Sequence, residues 1–425
     1  MLSVAVAVVV WYVVGRSQWF IRDDWAFLIT RDRIRELEGW RPWLFEPTAG
    51  HWMTWPILIY RGLRNVFGLG SYWPFLAVNL ALHLGCVLAV REICRRVGAT
   101  AWTTTLVCAG LLVFGPGWEN IVFAIQITCN LSLLAFLVQL LLVDHDGPVG
   151  RRDIAGAALA VVGVMSSGFG AFFVVGIAIF LGLRRRWAAL AVAVVPQGLA
   201  LGWWALTWGS SSSEPRVAGP VSMVPTFAVH GVTAVFDSLT TVPGLGGIAA
   251  VAALAVALWR KPGWRSQSIL ITLWLTTAAM YVGLGYQRIG FGVEGGGISR
   301  YQHLGAMLLA PAFAVAVDRL RWLAAEAIWA GRVVLLAAVV VNAGVLHADG
   351  SAWKIRANDE RALLELIAGS PLAASVDQDL RPLPFSPDVN IASLELLVAD
   401  GAITPRVPST PEEDAAVRRA LGVQP

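Results

Sequence analysis

The chain has 425 residues, of which 57% are hydrophobic and only 14% are charged, and its mean hydropathy is +0.65. Soluble domains carry roughly 25% charged residues, so this composition excludes an ordinary soluble protein and predicts an all-α integral membrane protein. The net charge of +4 comes from short basic clusters between apolar runs, which argues against a nucleic-acid partner. The four cysteines show no zinc-like spacing, and we expect buried free thiols.

Apolar runs recur along the chain and predict about eleven transmembrane helices. The first, 2–15, is short for about 30 Å of hydrocarbon, but Trp19 and Phe20 extend it. It lacks a basic n-region and a small-residue cleavage site, which argues against a cleaved signal peptide. The later candidates are 72–90, 101–114, 121–143, 154–165, 169–183, 188–208, 246–259, 268–285, 304–317 and 328–346.

The basic residues of the short loops predict the orientation. They fall in alternate loops and therefore lie on one side, the cytoplasm: Arg91/Arg95/Arg96, Arg151/Arg152, Arg184–Arg186, Arg260/Lys261/Arg265 and Arg319/Arg321. The N-terminus is then cytoplasmic, and the opposite face receives the loops 16–71, 209–245 and 286–303. We therefore predict a multi-pass plasma-membrane protein with one transmembrane domain, 1–346, and an extracytoplasmic C-terminal tail, 347–425.

The predicted outer segments have different characters. Within loop 16–71, the stretches 25–38 and 55–67 are amphipathic and suit helices lying in the membrane interface. They either cap the bundle or form the rim of a site. Loop 209–245 contains a further interfacial helix at 221–239. The tail has one helix-like stretch, 355–367, and is either a small folded cap or a partly ordered arm.

Two adjacent carboxylates, Asp23 and Asp24, follow the apolar N-terminus directly. They repel each other and lose solvation at a membrane surface, so either a cation neutralises them or at least one acts as a base on a substrate. The alternative is structural, because aspartate suits the first turn of a helix beginning near Trp25. A cap needs only one of them, and this favours the functional interpretation.

Other polar residues lie at the same predicted membrane boundary. His51, between Gly50 and Trp52, is either a surface residue or a donor to a phosphate or sugar hydroxyl. Polar side chains at the start of the fourth predicted span usually face a bundle interior or a cavity, although helix-to-helix packing explains them equally well. These are Glu119, Asn120 and Gln126, of which the last two would lie on one helix face, about two turns apart.

The glycine-rich loop 286–303 carries four further candidates. Its glycines make it flexible enough to close over a ligand, and an arginine here would pair with a lipid-carrier phosphate through its planar fork. Headgroup binding or anchoring in the aromatic belt is the alternative. The candidates are Arg288, Glu294, Arg300 and Tyr301. No set of metal ligands with zinc spacing appears, and we predict no metal site.

The sequence has no Walker-type, HExxH or GxSxG motif, which disfavours an ATP-driven pump. A transporter or lipid flippase that uses Asp23 and Asp24 as a proton or cation site is the main alternative to an enzyme. Such proteins often show repeated halves and charges near the bilayer midplane, whereas here no repeat is visible and the acids cluster in outer loops. A non-catalytic scaffold in envelope assembly is a third hypothesis.

The layout resembles the membrane glycosyltransferases of the GT-C fold, which include protein mannosyltransferases, aminoarabinose transferases and mycobacterial arabinofuranosyltransferases. An N-terminal span runs outward, Asp23-Asp24 open a long first outer loop, further spans follow, and the C-terminus lies outside. The residue-level match is Asp23-Asp24, with weaker carry-over to His51 and Arg300-Tyr301. The large carbohydrate-binding domain of many relatives is reduced to the tail. The Ala/Val/Arg/Trp-rich composition also resembles that of high-GC actinobacterial proteins.

The resemblance implies a hexosyl- or pentosyltransferase that takes a sugar from a polyprenyl-phosphate carrier in the membrane lipid. The acceptor would be a glycan, lipid or protein on the extracytoplasmic side. One aspartate of the pair would accept the proton of the acceptor hydroxyl, with inversion, and Arg300 would hold the carrier phosphate, helped by Tyr301, Arg288 or His51. The resemblance implies no required cofactor and leaves a divalent cation at the acidic pair open.

Overall fold

The structure is a computed structural model that describes residues 2–209, 217, 219–259, 263–320, 324 and 326–423. These residues form helices joined by short connections, and the only β-pairing among them is a single bridge between Thr48 and His51. The predicted all-α class is therefore confirmed. The four cysteines are buried free thiols, as predicted.

The first loop and the bundle are built from the following α-helices. They are α1 (Leu2–Gly15), α2 (Arg31–Glu38), α3 (Trp40–Phe45), α4 (Thr54–Phe67), α5 (Trp73–Arg96), α6 (Ala101–Leu112), α7 (Glu119–Val122), α8 (Ile127–Val143), α9 (Arg151–Val164), α10 (Phe169–Leu183), α11 (Trp187–Thr207), α12 (Val224–Thr240), α13 (Gly246–Leu258), α14 (Trp264–Arg288) and α15 (Ser299–Arg319). The C-terminal part adds α16 (Ala327–Gly369), α17 (Leu394–Ala399) and α18 (Pro411–Leu421).

Five helical stretches of the described residues are long and apolar enough to cross a membrane. They are Trp73–Arg96, Ala124–Val143, Trp187–Thr207, Trp264–Phe291 and Ala327–Gly369. Shorter apolar helices accompany them at Leu2–Gly15, Ala101–Leu112, Phe169–Leu183 and Gly246–Val256. The chain is a multi-pass membrane protein, and the count of eleven spans stays a prediction.

The predicted basic clusters meet at one end of the bundle. The Asp144 carboxylate accepts from the guanidinium groups of Arg96 and Arg265, both at 2.9 Å. Asp153 lies 3.1 Å from Arg186. These ion pairs join α5, α9 and α14 with the connections after α8 and α10. Described members of four of the five predicted clusters lie at these helix ends, namely Arg96, Arg152, Arg186 and Arg265, whereas Arg260, Lys261 and Arg321 lie outside the described residues. The assignment of this end to the cytoplasm stays a prediction.

The fourth predicted span, 121–143, is not one helix. The backbone is extended at Phe123, with φ −103° and ψ 111°, and this residue separates α7 from a 3-10 turn at Ala124–Gln126. The break exposes carbonyl groups, of which the Asn120 carbonyl accepts from Asn79 at 3.0 Å and from Asn130 at 2.8 Å. The prediction that Asn120 and Gln126 share one helix face is therefore wrong.

The first loop packs its helices against the rest of the protein, and their position in the membrane interface stays a prediction. The predicted helix 25–38 begins with a π-helical turn, Ala26–Thr30, and continues as α2. Trp25 and Leu28 are buried, and so are Ile57 and Tyr60 on α4. The apolar faces of both predicted amphipathic stretches thus contribute to the core, which fixes the segment carrying Asp23 and Asp24.

The C-terminal tail is a folded cap. Helix α16 runs without interruption through the predicted boundary at 346/347 and includes the predicted stretch 355–367. Beyond it, the chain returns to the first loop: the Trp19 indole donates to the Ala402 carbonyl at 3.2 Å, and the Leu69 N–H donates to the Asp400 carbonyl at 3.0 Å. The tail therefore covers the end of the bundle at which Asp23 lies.

Candidate functional site

The two aspartates have opposite environments, and Asp24 is the structural member. Its side chain is fully buried and accepts three hydrogen bonds, from the Tyr60 hydroxyl at 2.5 Å and from the Ile21 N–H and the Tyr72 hydroxyl at 3.2 Å. Burial raises the pKa of Asp24 to about 7, although these hydrogen bonds oppose the shift. Asp24 thus ties α1 to α4 and α5.

Asp24 does not cap the following helix. The first turn after Trp25 has no side-chain cap. Instead, the Tyr72 hydroxyl that binds Asp24 also accepts the Ala124 N–H at 2.7 Å. The acidic pair is in this way connected to the break between α7 and α8, and the capping interpretation is wrong.

Asp23 is exposed to solvent. The turn that presents it has Arg22 in the left-handed region, with φ +56°. The Arg22 N–H donates to the Ser386 hydroxyl at 2.8 Å, and Ser386 donates to the Glu360 carboxylate at 2.6 Å. The tail therefore fixes the turn while leaving the Asp23 carboxylate open to a partner.

A half-buried ion pair lies within electrostatic range of this carboxylate. The Arg300 Nε lies 3.3 Å from Glu119 Oε2, without the alignment of a hydrogen bond, and Asp23 also acts electrostatically on Arg300. The Ser299 hydroxyl accepts the Glu119 N–H at 3.2 Å, so the starts of α7 and α15 are joined. This bond holds Glu119 and Arg300 at adjoining helix starts.

His51 and Tyr301 lie within electrostatic range of both Arg300 and Arg288. Burial and the charges of Arg288 and Arg300 lower the pKa of His51 to about 4, so its imidazole is neutral at pH 7. The His51 ring packs against Gly168, where any side chain would collide with it. Tyr301 is buried against the Phe169 ring, with ring centroids 6.1 Å apart. Four of the predicted residues thus form a basic and aromatic cluster.

Three predicted cavity residues lie apart from this cluster. Glu294 is exposed and lies 3.2 Å from His230 Nε2 on α12, and its contacts do not join it to Arg300. Asn120 is fully buried, and neither its side-chain nitrogen nor its oxygen has a partner. Gln126 is buried with its Oε1 unpartnered. The last two line the break between α7 and α8.

Sequence reasoning missed the residues that hold the site in place. Tyr60 lies on the apolar face of α4, where a hydroxyl needs a partner, and this was an available signal. Ser386, Glu360 and Asp388 belong to the tail, and no local pattern relates them to Asp23. Asp388 accepts a hydrogen bond from the Thr30 hydroxyl at 2.6 Å. Burial raises the pKa of Asp388, and the Asp23 charge adds to this shift.

The site offers few ligands for a metal ion. Among the described residues, no group of three or more His, Cys, Asp or Glu side chains could hold a metal ion. Asp23 acts electrostatically on Asp388, so these two carboxylates are the candidates for such a site. The arrangement offers an exposed base, a paired arginine and a neutral imidazole, which together suit proton transfer beside an anionic group.

These features define a multi-pass helical membrane protein with a polar site under a C-terminal cap. A solved structure with a similar fold is that of ArnT from Cupriavidus metallidurans in the apo state, with a TM-score of 0.55 and 15% sequence identity. The similarity covers 95% of this chain and 88% of that chain. It confirms the predicted GT-C fold. Comparisons with protein-family models and with curated proteins give no match.

Proposed function

We propose that this protein is a glycosyltransferase that moves a sugar from a polyprenyl-phosphate carrier to an acceptor on the extracytoplasmic face. The observation that carries the proposal is the difference between the two aspartates: Asp24 is buried and hydrogen-bonded, whereas Asp23 is exposed and acts electrostatically on Arg300. The GT-C fold and the apolar bundle support a lipid-borne donor. The orientation rests on the positive-inside rule.

The chemistry follows from this arrangement. The acceptor hydroxyl attacks the anomeric carbon while Asp23 takes its proton, so that a new glycosidic C–O bond forms with inversion. The bond between the anomeric carbon and the phosphate oxygen breaks, and polyprenyl phosphate leaves with the bonding electron pair. Arg300 stabilises the charge that develops on this phosphate. Before the donor binds, the Glu119 carboxylate neutralises the charge of Arg300. The donor phosphate then replaces Glu119 as the partner of Arg300.

Neighbouring residues would bind the rest of the donor. Neutral His51 donates to a phosphate oxygen, Arg288 adds positive charge, and Tyr301 forms an aromatic wall. The unpartnered amide of Asn120 and the Gln126 oxygen suit hydroxyl groups of the sugar. A buried amide without a partner destabilises the folded protein, and a ligand that supplies the missing hydrogen bonds removes this cost. No cofactor is needed for this reaction.

The test is transfer of a labelled sugar by the purified protein from a polyprenyl-phosphate donor. We expect Asp23→Asn to lose roughly 10²–10⁴-fold in kcat, the usual contribution of a positioned base. Asp359→Asn is the matched control, because Asp359 is an exposed aspartate on α16. Full activity of Asp23→Asn would contradict the proposal. Flipping of the donor across vesicle membranes without sugar transfer would support the alternative function, a lipid flippase. Loss of transfer activity in EDTA would show that a cation is required.

A further inference from the structure

The tail carries an open groove of about 500 Å³ that the proposed reaction does not use. Its walls come from α16, from the segment after Leu380, and from α18. Small apolar side chains line it, and two arginines, Arg381 and Arg419, provide its charge. The apolar lining residues include Leu363, Pro382, Pro384 and Ala416.

Both groove arginines are available to a ligand. Among the described residues, neither Arg381 nor Arg419 makes an ion pair or a side-chain hydrogen bond, and both are exposed. Arg418, next in sequence to Arg419, is different because it donates to Asp414 at 2.7 Å. Arg381 does interact electrostatically with Asp388, without a salt bridge. Two guanidinium groups without hydrogen-bonded partners, above apolar side chains, suit a saccharide with an oxyanion, since the planar fork binds carboxylate or phosphate through paired hydrogen bonds.

The predicted span on α16 places the groove outside the layer of lipid headgroups. The predicted span on α16 ends at Leu346, and Leu363 follows 17 positions later on the same helix, which is about 25 Å of helical rise. The polar headgroup layer is only about 5–8 Å thick on each side of the hydrocarbon. A soluble or protruding acceptor therefore reaches the groove, whereas a phospholipid headgroup does not.

One loop connects the groove to the proposed site. The Ile391 N–H donates to the Leu380 carbonyl at 3.1 Å and closes the loop 381–390. Pro382 and Pro384 line the groove, and Ser386, two positions further on, accepts the Arg22 N–H. Two residues span about 7 Å at most, so the groove wall lies close to the turn that presents Asp23.

We propose that this groove binds an acidic sugar residue of the acceptor, through Arg381 and Arg419, and directs the acceptor chain toward Asp23. The role of the groove in acceptor binding rests on the proposed function, whereas the binding test below does not depend on it. The ligand class is a saccharide with a carboxylate or phosphate group. The apolar groove walls contact its ring, and the two arginines select its charge.

The test is equilibrium binding to the full-length protein in nanodiscs, without any donor. The probes are a glucose–glucuronate tetrasaccharide, the matching all-glucose tetrasaccharide and glucose 1-phosphate. We expect the acidic probes to bind at least tenfold more tightly than the neutral one. The Arg381→Gln/Arg419→Gln protein should lose about tenfold or more in that affinity, whereas Arg418→Gln, the neighbouring control, should lose less than twofold.

Several results would overturn the inference. They are equal binding of the neutral and acidic saccharides, no binding of any probe at millimolar concentration, and unchanged affinity in the double variant. Loss of acidic-probe binding in nanodiscs of anionic lipid, but not of zwitterionic lipid, would identify a headgroup as the occupant instead. Because no donor is present, a failure of sugar transfer leaves these outcomes unaffected. If transfer is observed, the double variant should raise KM for an acidic acceptor with kcat nearly unchanged.

Discussion

The Arg22 N–H donates to the Ser386 hydroxyl at 2.8 Å, and this bond joins residues 364 positions apart. Arg22 has a left-handed backbone conformation, which residues with a side chain rarely adopt without compensating contacts. Ser386 is itself held by Glu360 at 2.6 Å. The position of Asp23 in the first loop therefore depends on the tail.

Removing this bond should reduce catalysis more than binding. We expect Ser386→Ala to lower kcat about tenfold with little change in KM, because the Arg22 turn loosens and Asp23 loses its alignment. Ser386→Thr keeps the hydroxyl and should restore most of the rate. Ser375→Ala is the control, since Ser375 is an exposed serine of the tail that bonds only to its own turn. A pure rise in KM would contradict the positioning role.

The buried Asp24 should make stability depend on pH. Its pKa is raised from 3.8 to about 7, so the folded state holds a proton that the unfolded state releases between these values. The stabilisation is complete below pH 3.8 and is lost as the pH rises toward 7, by about 1.4 kcal/mol per pH unit. Thermal unfolding measured from pH 5 to 8 should show this fall, and Asp24→Asn should remove it. A wild-type protein that grows more stable over this range would contradict the assignment.

Glu119 and Arg300 should act oppositely on the donor. Arg300→Gln should raise the KM for the polyprenyl-phosphate donor at least tenfold, because the phosphate loses its charged partner. Glu119→Gln frees Arg300 from its carboxylate at 3.3 Å and should lower that KM. Arg300→Lys keeps the charge but not the planar fork, so an intermediate value is expected. Equal effects of the two Gln variants would mean that the pair is only structural.

The break between α7 and α8 should depend on Asn79. Its side-chain nitrogen donates to the Asn120 carbonyl at 3.0 Å and to the Ile121 and Phe123 carbonyls at 3.3 Å. Asn79→Ala removes these bonds and leaves the Asn120 carbonyl with Asn130 and the Phe123 carbonyl with the Gln126 N–H. Losing the bond to Ile121 and weakening the other two should cost about 1–3 kcal/mol of unfolding free energy. Thermal unfolding in detergent measures this cost. Asn358→Ala is the control, because Asn358 makes its bonds at an exposed position of α16, and an equal loss in both variants would refute the specific role.

Sequence patterns predicted the membrane helices best where an apolar run has clear ends. Helix α10 matches its prediction at both ends, since Gly168 precedes the run and Arg184 follows it. Helix α16 was predicted too short, because hydropathy detects burial in lipid and not the continuation of a helix into water. The break in the predicted span 121–143 was missed because no residue at the break signals it. The side chains that bind its free carbonyl groups come from Asn79 on α5 and from Asn130 on α8.

Charge patterns in the sequence pointed to the candidate residues of the site, but no pattern pointed to the residues that hold them in place. Asp23, Arg300 and His51 stand out in the sequence because polar residues are rare beside apolar runs. In the structure, Asp23 and His51 both interact electrostatically with Arg300, and their roles stay predictions. The difference between Asp23 and Asp24 was not predictable, since it depends on Tyr60 and Tyr72 reaching Asp24 from other helices. Ser386 had no signal at all, because its partner is a backbone N–H.

The contact between Arg22 and Ser386 also sets an order for biosynthesis. The segment with Asp23 is made among the first residues of the chain, yet the hydroxyl that accepts the Arg22 N–H exists only after residue 386 has been synthesised. Contacts of such separation form late, because the intervening chain must fold first. A nascent chain stalled inside the bundle would carry every residue of the cluster around Arg300 and still lack the support of the Asp23 turn, so under the proposed function it would stay inactive until the cap has folded.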